Sequence, residues 1–375
     1  MKWIHQRRRG GAACFFGMFA LPVAVAACSP SAPGYGDPAE MDHSALSPVA
    51  VVGEVVAEPS DLGLPFELEV LGEHLVVLDA ASDSAVLVMR KDDGELIRSF
   101  GRRGHGPGEY EGAWSVDPVA GSDQQFWIYD ASLHRLTHVD LSRDFEGGAR
   151  YGERIINLVA EATVLDPTWL DSIFVSLGFF QSGRLGQFDE EGRFLRTVGS
   201  LPQDAHEVPP QILQHAFQST LEPNPSRTLL AVATRHADRL EIYRPDGTLV
   251  AAARPPFGFL PKFEVRVRRG EPSMATGDDL RFGYVDLTTT EDHIYALFSG
   301  RTRYGFPGTA NYGEYVHVYD WEGRLQTVVK LDSEALAIAV DTADRSLYAL
   351  RHDPRPAVVR YGLPIDQGPT RVGKR

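Results

Sequence analysis

The sequence holds two cysteines in 375 residues, Cys14 and Cys28, and Cys14 lies inside an apolar N-terminal run. A disulfide framework is excluded, so burial alone must hold any fold together. The HExxH and GxSxG patterns are missing, and the one short-spaced histidine pair, His134 and His138, belongs to a strand repeat. The common zinc-hydrolase and serine-nucleophile signatures are therefore lacking. After residue 28 no apolar run reaches membrane-spanning length. Helical stripes are nearly absent from residue 66 onward. Basic charge is also scarce. The net charge is −14, and it becomes four units more negative without residues 1–27, which carry Lys2, Arg7, Arg8, Arg9 and no acid. So acidic a surface disfavours nucleic acid and anionic lipid as partners.

What the chain does carry begins with an address. "MKWIHQRRRGG" is a basic leader, and "AACFFGMFALPVAVAA" is an apolar run too short to span a bilayer comfortably. It ends in "VAAC", where Val25, Ala26, Ala27 and Cys28 resemble a bacterial lipobox. That resemblance implies a signal peptide over 1–27, cleavage before Cys28 and acylation of its thiol. The expectation is an exported protein touching the membrane through its lipid alone. Ser29 after Cys28 is consistent with outer-membrane delivery, with the leaflet left open. Residues 29–48, "SPSAPGYGDPAEMDHSALSP", are rich in Pro, Ser, Gly and Ala without an apolar period. Residues 28–48 are therefore expected to be a lipidated cysteine and flexible linker.

From residue 66, short apolar strands alternate with turn signals. Strand–loop–strand–turn–strand units begin at His74, Phe126, Ile173, Leu229, Ile294 and Leu347. Asp93-Gly94, Glu191-Gly192, Asp246-Gly247 and Glu322-Gly323 supply the positive φ that tight hairpins require. An earlier strand completes each unit and ends in an acid: Glu69, Asp117, Asp166, Glu222, Asp286 or Asp341. Six four-stranded units at separations of roughly 50–60 residues indicate an all-β, six-bladed β-propeller. The last unit lacks an outer strand, and "VAVVGEVVAE" (49–58) is free to fill that place and close the ring. The propeller is expected over 49–364, monomeric, with a C-terminal tail over 365–375.

Residues 74–117 resemble the NHL repeat. They have a strand ending in Asp79, the Gly94 turn, the Phe100-Gly101 elbow with Gly104 and Gly106, and a strand ending in Asp117. "LHRL" (133–136), "SGRL" (182–185) and "ADRL" (237–240) match the repeat's polar-Arg-apolar step. The chain is similar to the six-bladed NHL-like or TolB-like propeller lipoproteins of Gram-negative bacteria. The resemblance implies a scaffold and no single activity. The glycine-rich stretch "SFGRRGHGPGEYEGAW" (99–114) reads as an elbow between blades. A phosphate-binding loop needs a helix after it, and "EYEGAWSVDP" has no helical stripe.

Two classes of function follow. The first is an envelope-anchored binding or scaffold protein. The long elbows 199–217 and 253–282 and the loop 299–315 all belong to blades three to five and open on one face, the expected working surface. Its candidate ligand contacts are Arg266, Arg268, Arg301, Arg303, Tyr304 and Tyr312, with Arg102, Arg103 and His105 on the elbow between blades one and two. Arginines and aromatic rings suit an envelope protein, a glycan or an anionic ligand. The second class is a metal-dependent hydrolase or lyase at the channel mouth. It would use the ring of acids, or His105, His206 and His215, which lie in elbows between blades on one face. A plainer expectation for the acids is that each accepts backbone N–H groups within its own turn. "LEPNP" (221–225) reads as a proline-braced turn. The residues name no cofactor.

Overall fold

A computed structural model of the chain describes residues 40–58, 62–143, 154–202 and 208–365. After β1 (Val49–Ala50) and β2 (Glu54–Ala57), five blades follow in chain order, each built from antiparallel neighbours. Blade one is β3 (Pro65–Leu71), β4 (His74–Asp79), β5 (Val86–Arg90) and β6 (Leu96–Phe100). Blade two is β7 (Ala113–Pro118), β8 (Gln125–Asp130), β9 (Arg135–Asp140) and β10 (Ile155–Asn157). Blade three is β11 (Val164–Leu170), β12 (Ile173–Gly178), β13 (Leu185–Asp189) and β14 (Phe194–Val198). The helix α1 (Pro210–Ala216) precedes blade four, which is β15 (Ser219–Pro223), β16 (Leu230–Thr234), β17 (Leu240–Tyr243) and β18 (Leu249–Ala252). A separate hairpin, β19 (Glu264–Arg268) with β20 (Glu271–Ala275), interrupts the path to blade five. Blade five is β21 (Tyr284–Thr289), β22 (His293–Phe298), β23 (Gly313–Asp320) and β24 (Leu325–Ala335). Blade six is β25 (Ala337–Val340), β26 (Ser346–Arg351) and β27 (Ala357–Gly362), with β2 as its outer strand.

The sequence pattern of each strand follows from its place. Second strands are apolar at nearly every position because a blade stacks on both of their faces; β4, β8, β12 and β22 each bury five consecutive residues. Outer strands face water, and β14 and β18 are largely exposed. Six apolar clusters result, one between each pair of neighbouring blades. The inner strands β3, β7, β11, β15, β21 and β25 touch in cyclic order, and β25 returns to β3.

Closure uses the N-terminal segment, as the missing outer strand implied, but residues 49–58 divide between two blades. β2 pairs antiparallel with β27, whereas β1 runs parallel to β24 on the edge of blade five. The linker expectation also changes. Residues 40–48 are docked against blade five, while 28–39, the leader and Cys28 lie outside the described residues. The tail expectation over 366–375 also falls outside them.

The four predicted hairpin glycines all have positive φ, between 69° and 85°. Gly94 carries a second constraint: a Cβ there would run into the Val56 carbonyl of β2, so a side chain would push the closing strand away. The elbow 101–112 folds around a carboxylate. Glu109 accepts the Gly106 N–H and the Arg102 Nε–H. The strand β7 follows directly, with no helix to present amides to a phosphate. The repeat arginines act as braces. Arg135 donates to the carbonyls of His105 and Glu109, and Arg184 donates to the Phe217 carbonyl and Ser219 Oγ. Each therefore pins the elbow that leads into or out of its blade.

Candidate functional site

The inner strands point carboxylates at the propeller axis. β3 gives Glu67 and Glu69, β7 Asp117, β11 Asp166, β15 Glu222 and β21 Asp286. Their hydrogen bonds correct the expectation that each acid serves its own turn. Asp117 accepts from Trp169 N–H at 2.8 Å and from Thr168 Oγ1 at 3.0 Å, both on the next inner strand. Asp286 accepts from Ile338 N–H at 2.6 Å, again one blade on. Glu67 and Asp166 do the same with the N–H groups of Val116 and Leu221. These four acids staple blades one, two, three and five to their successors. Asp341 differs, accepting from Arg345 and Ser346 in its own turn.

Burial raises five of the inner-strand carboxyls above their ordinary range. Asp166 is lifted to about 6, Asp286 to about 7 and Glu69 to about 8, the charge of Asp286 adding to the effect on Glu69. Glu67 and Glu222 are also raised, by burial first and then by neighbouring acids. Near neutrality several of these groups are therefore neutral and able to donate a hydrogen bond. Among the described residues no three His, Cys, Asp or Glu side chains come close enough to hold a metal ion.

Two cavities occupy the axis. The one at the turn end has a volume of about 350 Å³ and is lined by Glu69, Asp117, Asn224 and Arg227. Arg227 reaches across from blade four to Asp117 Oδ1 and Thr168 Oγ1, each at 2.6 Å, and also donates to the Pro118 carbonyl. It ties three blades together at this end. Asn224 Oδ1 accepts the N–H groups of Thr228 and Leu229, which makes "LEPNP" the turn brace expected.

The other cavity opens on the face that carries the insertions and measures about 460 Å³. Phe66 and Trp114 form part of its apolar wall, and Glu67, Asp166, Glu222 and Asp286 are its acids. Gln218 at the end of the 199–217 elbow and Asn311 of the 299–315 loop complete its rim. Its cation is Arg235, whose guanidinium stacks on Phe282 with Cζ 5.6 Å from the ring centroid. Burial lowers the Arg235 pKa, and the charges of Asp166 and Arg303 act on it in opposite directions. It remains charged at any ordinary pH. Among the described residues its side chain has no hydrogen-bond or close ion-pair partner, so its donors face the cavity unpaired by them.

The insertions do converge. The elbow 199–217 holds α1, and Leu213 and Ala216 of the helix, with Phe217 after it, pack with Phe263 and Met274 of the 253–282 insertion. The loop 299–315 is laced to residues 278–282 through Tyr304 N–H to Asp278 O and Phe282 N–H to Arg301 O.

The candidate contacts then separate. Tyr304 is 81% exposed, and Arg303 is exposed with Cζ 5.6 Å from the centroid of Phe282, the same ring that Arg235 meets. Arg266 is exposed and paired with Glu264, and Arg268 is exposed at the hairpin end. Tyr312 is half-buried, edge-on to His352. Arg102 and Arg103 are exposed and pair with Glu109 and Glu111, and His105 lies 4.0 Å from Glu111. Arg301 requires correction as a ligand contact. It is 3% exposed and paired with Glu40, Glu314 and Glu334, so it braces the loop from within. His215 packs against Phe179 on α1, away from the elbow of His105, and His206 lies outside the described residues. Sequence reading missed Arg235, Trp114, Asn311 and Arg227.

A sequence model of the family described as TolB-like 6-blade propeller-like matches residues 51–343. No curated protein matches the sequence. A Bacteroides vulgatus structure, a member of the DUF4221 family, is similar with a TM-score of 0.51 and 11% identity, covering 83% of this chain and 95% of its own. The WD40 repeats of RRP9 are similar with a TM-score of 0.50 and 10% identity, covering 83% and 97%. At such identities these likenesses speak to fold alone. With the family model spanning most of the sequence and six blades closed in a ring, the chain belongs to the TolB-like six-bladed propeller family.

Proposed function

We propose that this protein is a non-enzymatic binding propeller that receives an anionic group of its ligand in the 460 Å³ cavity on the insertion-rich face. The observation that carries this reading is Arg235, a charged guanidinium in the cavity wall without a hydrogen-bond partner among the described residues. The cavity is of the size that small ligands occupy. Glu67 and Glu222, raised well above the usual carboxylate range, repel an anion less than ionised groups would, since the protonated form donates hydrogen bonds. Arg303 adds positive charge nearby, and Trp114 and Phe66 offer apolar faces to a ring or an acyl group.

The test is a titration of small anions, including acidic sugars and acidic peptides, followed by thermal shift. A ligand that stabilises the wild type should bind Arg235→Met about 30-fold more weakly, as expected for an interface arginine worth about 2 kcal/mol. Equal affinity for both proteins would remove the cavity from the function.

The same reading places the protein on the cell envelope through an acylated Cys28, on the strength of the "VAAC" sequence. Cys28→Ser should shift the protein from the membrane fraction to the soluble envelope fraction, because acyl chains supply the membrane affinity. Unchanged partition would rule the anchor out.

A further inference from the structure

We propose that residues 40–50 form an acid-released latch, held to blade five by a buried pair of neutral histidines. His43 is 2% exposed and His317, on β23, is 0% exposed, with their Nε2 atoms 3.2 Å apart. The His43 ring stacks flat on Tyr315, with centroids 3.7 Å apart, and meets Phe257 and Phe298 edge-on. Glu40 joins the Arg301 cluster, and β1 continues the docked segment along β24.

The hydrogen bonds assign the protons. The Met41 carbonyl can only accept, so His43 Nδ1 carries a hydrogen and donates to it at 3.2 Å. A neutral His43 then has a lone pair on Nε2, which accepts from His317 Nε2–H. That leaves His317 Nδ1 as an acceptor for Tyr284 Oη at 3.1 Å, and Tyr284 accepts from Tyr319 Oη at 2.6 Å. Every group in the chain is satisfied with both rings neutral. A proton added at His43 Nε2 sets N–H against N–H in this arrangement, removes the hydrogen bond between the two rings and leaves a charge buried in the slot.

The surroundings offer little compensation. Burial pulls the His43 pKa down to about 4, and burial with the neighbouring His43 holds His317 well below its usual value. Against this, the Met41 carbonyl and Asp42 favour a charge on His43, and Lys330 on β24 opposes it by less. The remaining charged groups are Glu314 and Glu334, both paired with Arg301, and Asp238 facing Tyr284 and Tyr319. Because the docked pKa is depressed, the undocked segment binds more protons. Docking is complete above the free-histidine value near 6.5 and weakens as pH falls from there toward 4. Release would lengthen the reach between Cys28 and the propeller and uncover the slot formed by Phe257, Phe298, Tyr315 and His317.

Hydrogen exchange of the full chain, with rates normalised to the intrinsic rate at each pH, tests this. Between pH 7.5 and 5, protection of residues 40–50 should fall at least about 30-fold, while β26 should change less than about threefold. His43→Gln keeps an acceptor without a titrating ring, so the fall should shrink about tenfold. The double variant His43→Gln/His317→Gln should be flat. A wild type with constant protection overturns the latch. So does a double variant that keeps the full dependence, since the carboxylates around Arg301 would then be the titrating groups. If the double variant shows no protection even at pH 7.5, His43→Gln alone decides, and an unshrunken fall overturns the proposal.

Discussion

Replacing residues 54–57 by Gly-Ser-Gly-Ser is expected to lower the melting temperature by about 10 °C and to cause concentration-dependent aggregation. The substitution keeps chain length and β1, so it removes only the strand that completes blade six. Three losses combine. The ladder to β27 disappears, leaving Val358–Arg360 on an open sheet edge. Ala57 leaves the apolar cluster between blades six and one, and the Glu54–Arg360 ion pair at 2.7 Å is lost. Lost burial of about 2–3 kcal/mol and ladder bonds at about 1 kcal/mol each bring the total to about 5 kcal/mol. That is a large part of a domain's stability. The measurement is a melt at two protein concentrations, with Val52→Ser as control because Val52 projects into solvent between the two strands. A melting temperature within about 2 °C of wild type would mean the ring does not depend on this strand.

This closure was legible because it is a matter of count: five units had four strands, one had three, and one strand was spare. The hairpin glycines and the elbow 101–112 were legible for a related reason. Their signals lie within a few residues of the backbone they shape. The docked segment 40–48 gave no such signal. Its partners include His317, 274 positions away from His43, and a Pro- and Ser-rich stretch has no apolar period to announce burial. Composition reports what a segment could bury against itself, not what another blade offers it.

The cavity cation was hidden in a different way. Arg235 follows its second strand at the position that blades one, two, three and five fill with Ala80, Ala131, Phe179 and Ser299. In each, the backbone N–H bonds to the start of the inner strand: Leu64, Gly112, Thr163, Gln218 and Gly283. Superposing the repeats, rather than counting them, exposes an arginine where its counterparts are small or apolar. Charge clustering favoured Arg301 instead, because spacing cannot tell an arginine that faces water from one enclosed by Glu40, Glu314 and Glu334. Only Glu314 of those three lies near it in sequence.

Asp130→Ala is expected to cost about 4 kcal/mol or more, among the larger effects of a single substitution. Asp130 is 0% exposed and sits at the end of β8, where the chain of blade two meets the elbow from blade one. Its Oδ1 accepts the N–H groups of Ser132 at 3.0 Å and Leu133 at 2.9 Å. Its Oδ2 accepts Glu111 N–H at 2.7 Å, and Gly112 N–H is shared between the two oxygens at 3.2 Å. One carboxylate thus serves as partner for four backbone donors from two segments. Alanine leaves them unpaired in a site that burial denies to water, at about 1–3 kcal/mol for each donor that stays dry. Asp79 plays the same part in blade one, gathering Gly63, Leu64, Ala81 and Ser82. Asp130→Asn should fall between wild type and alanine, since Oδ1 keeps its bonds while the new amide faces the Glu111 N–H. Denaturant melts of the three proteins read this order, with the exposed Asp92→Ala expected within about 0.5 kcal/mol of wild type. If Asp130→Ala were as stable as Asp92→Ala, the elbows would be held by their arginine braces alone, and Arg135→Leu would then carry the larger loss.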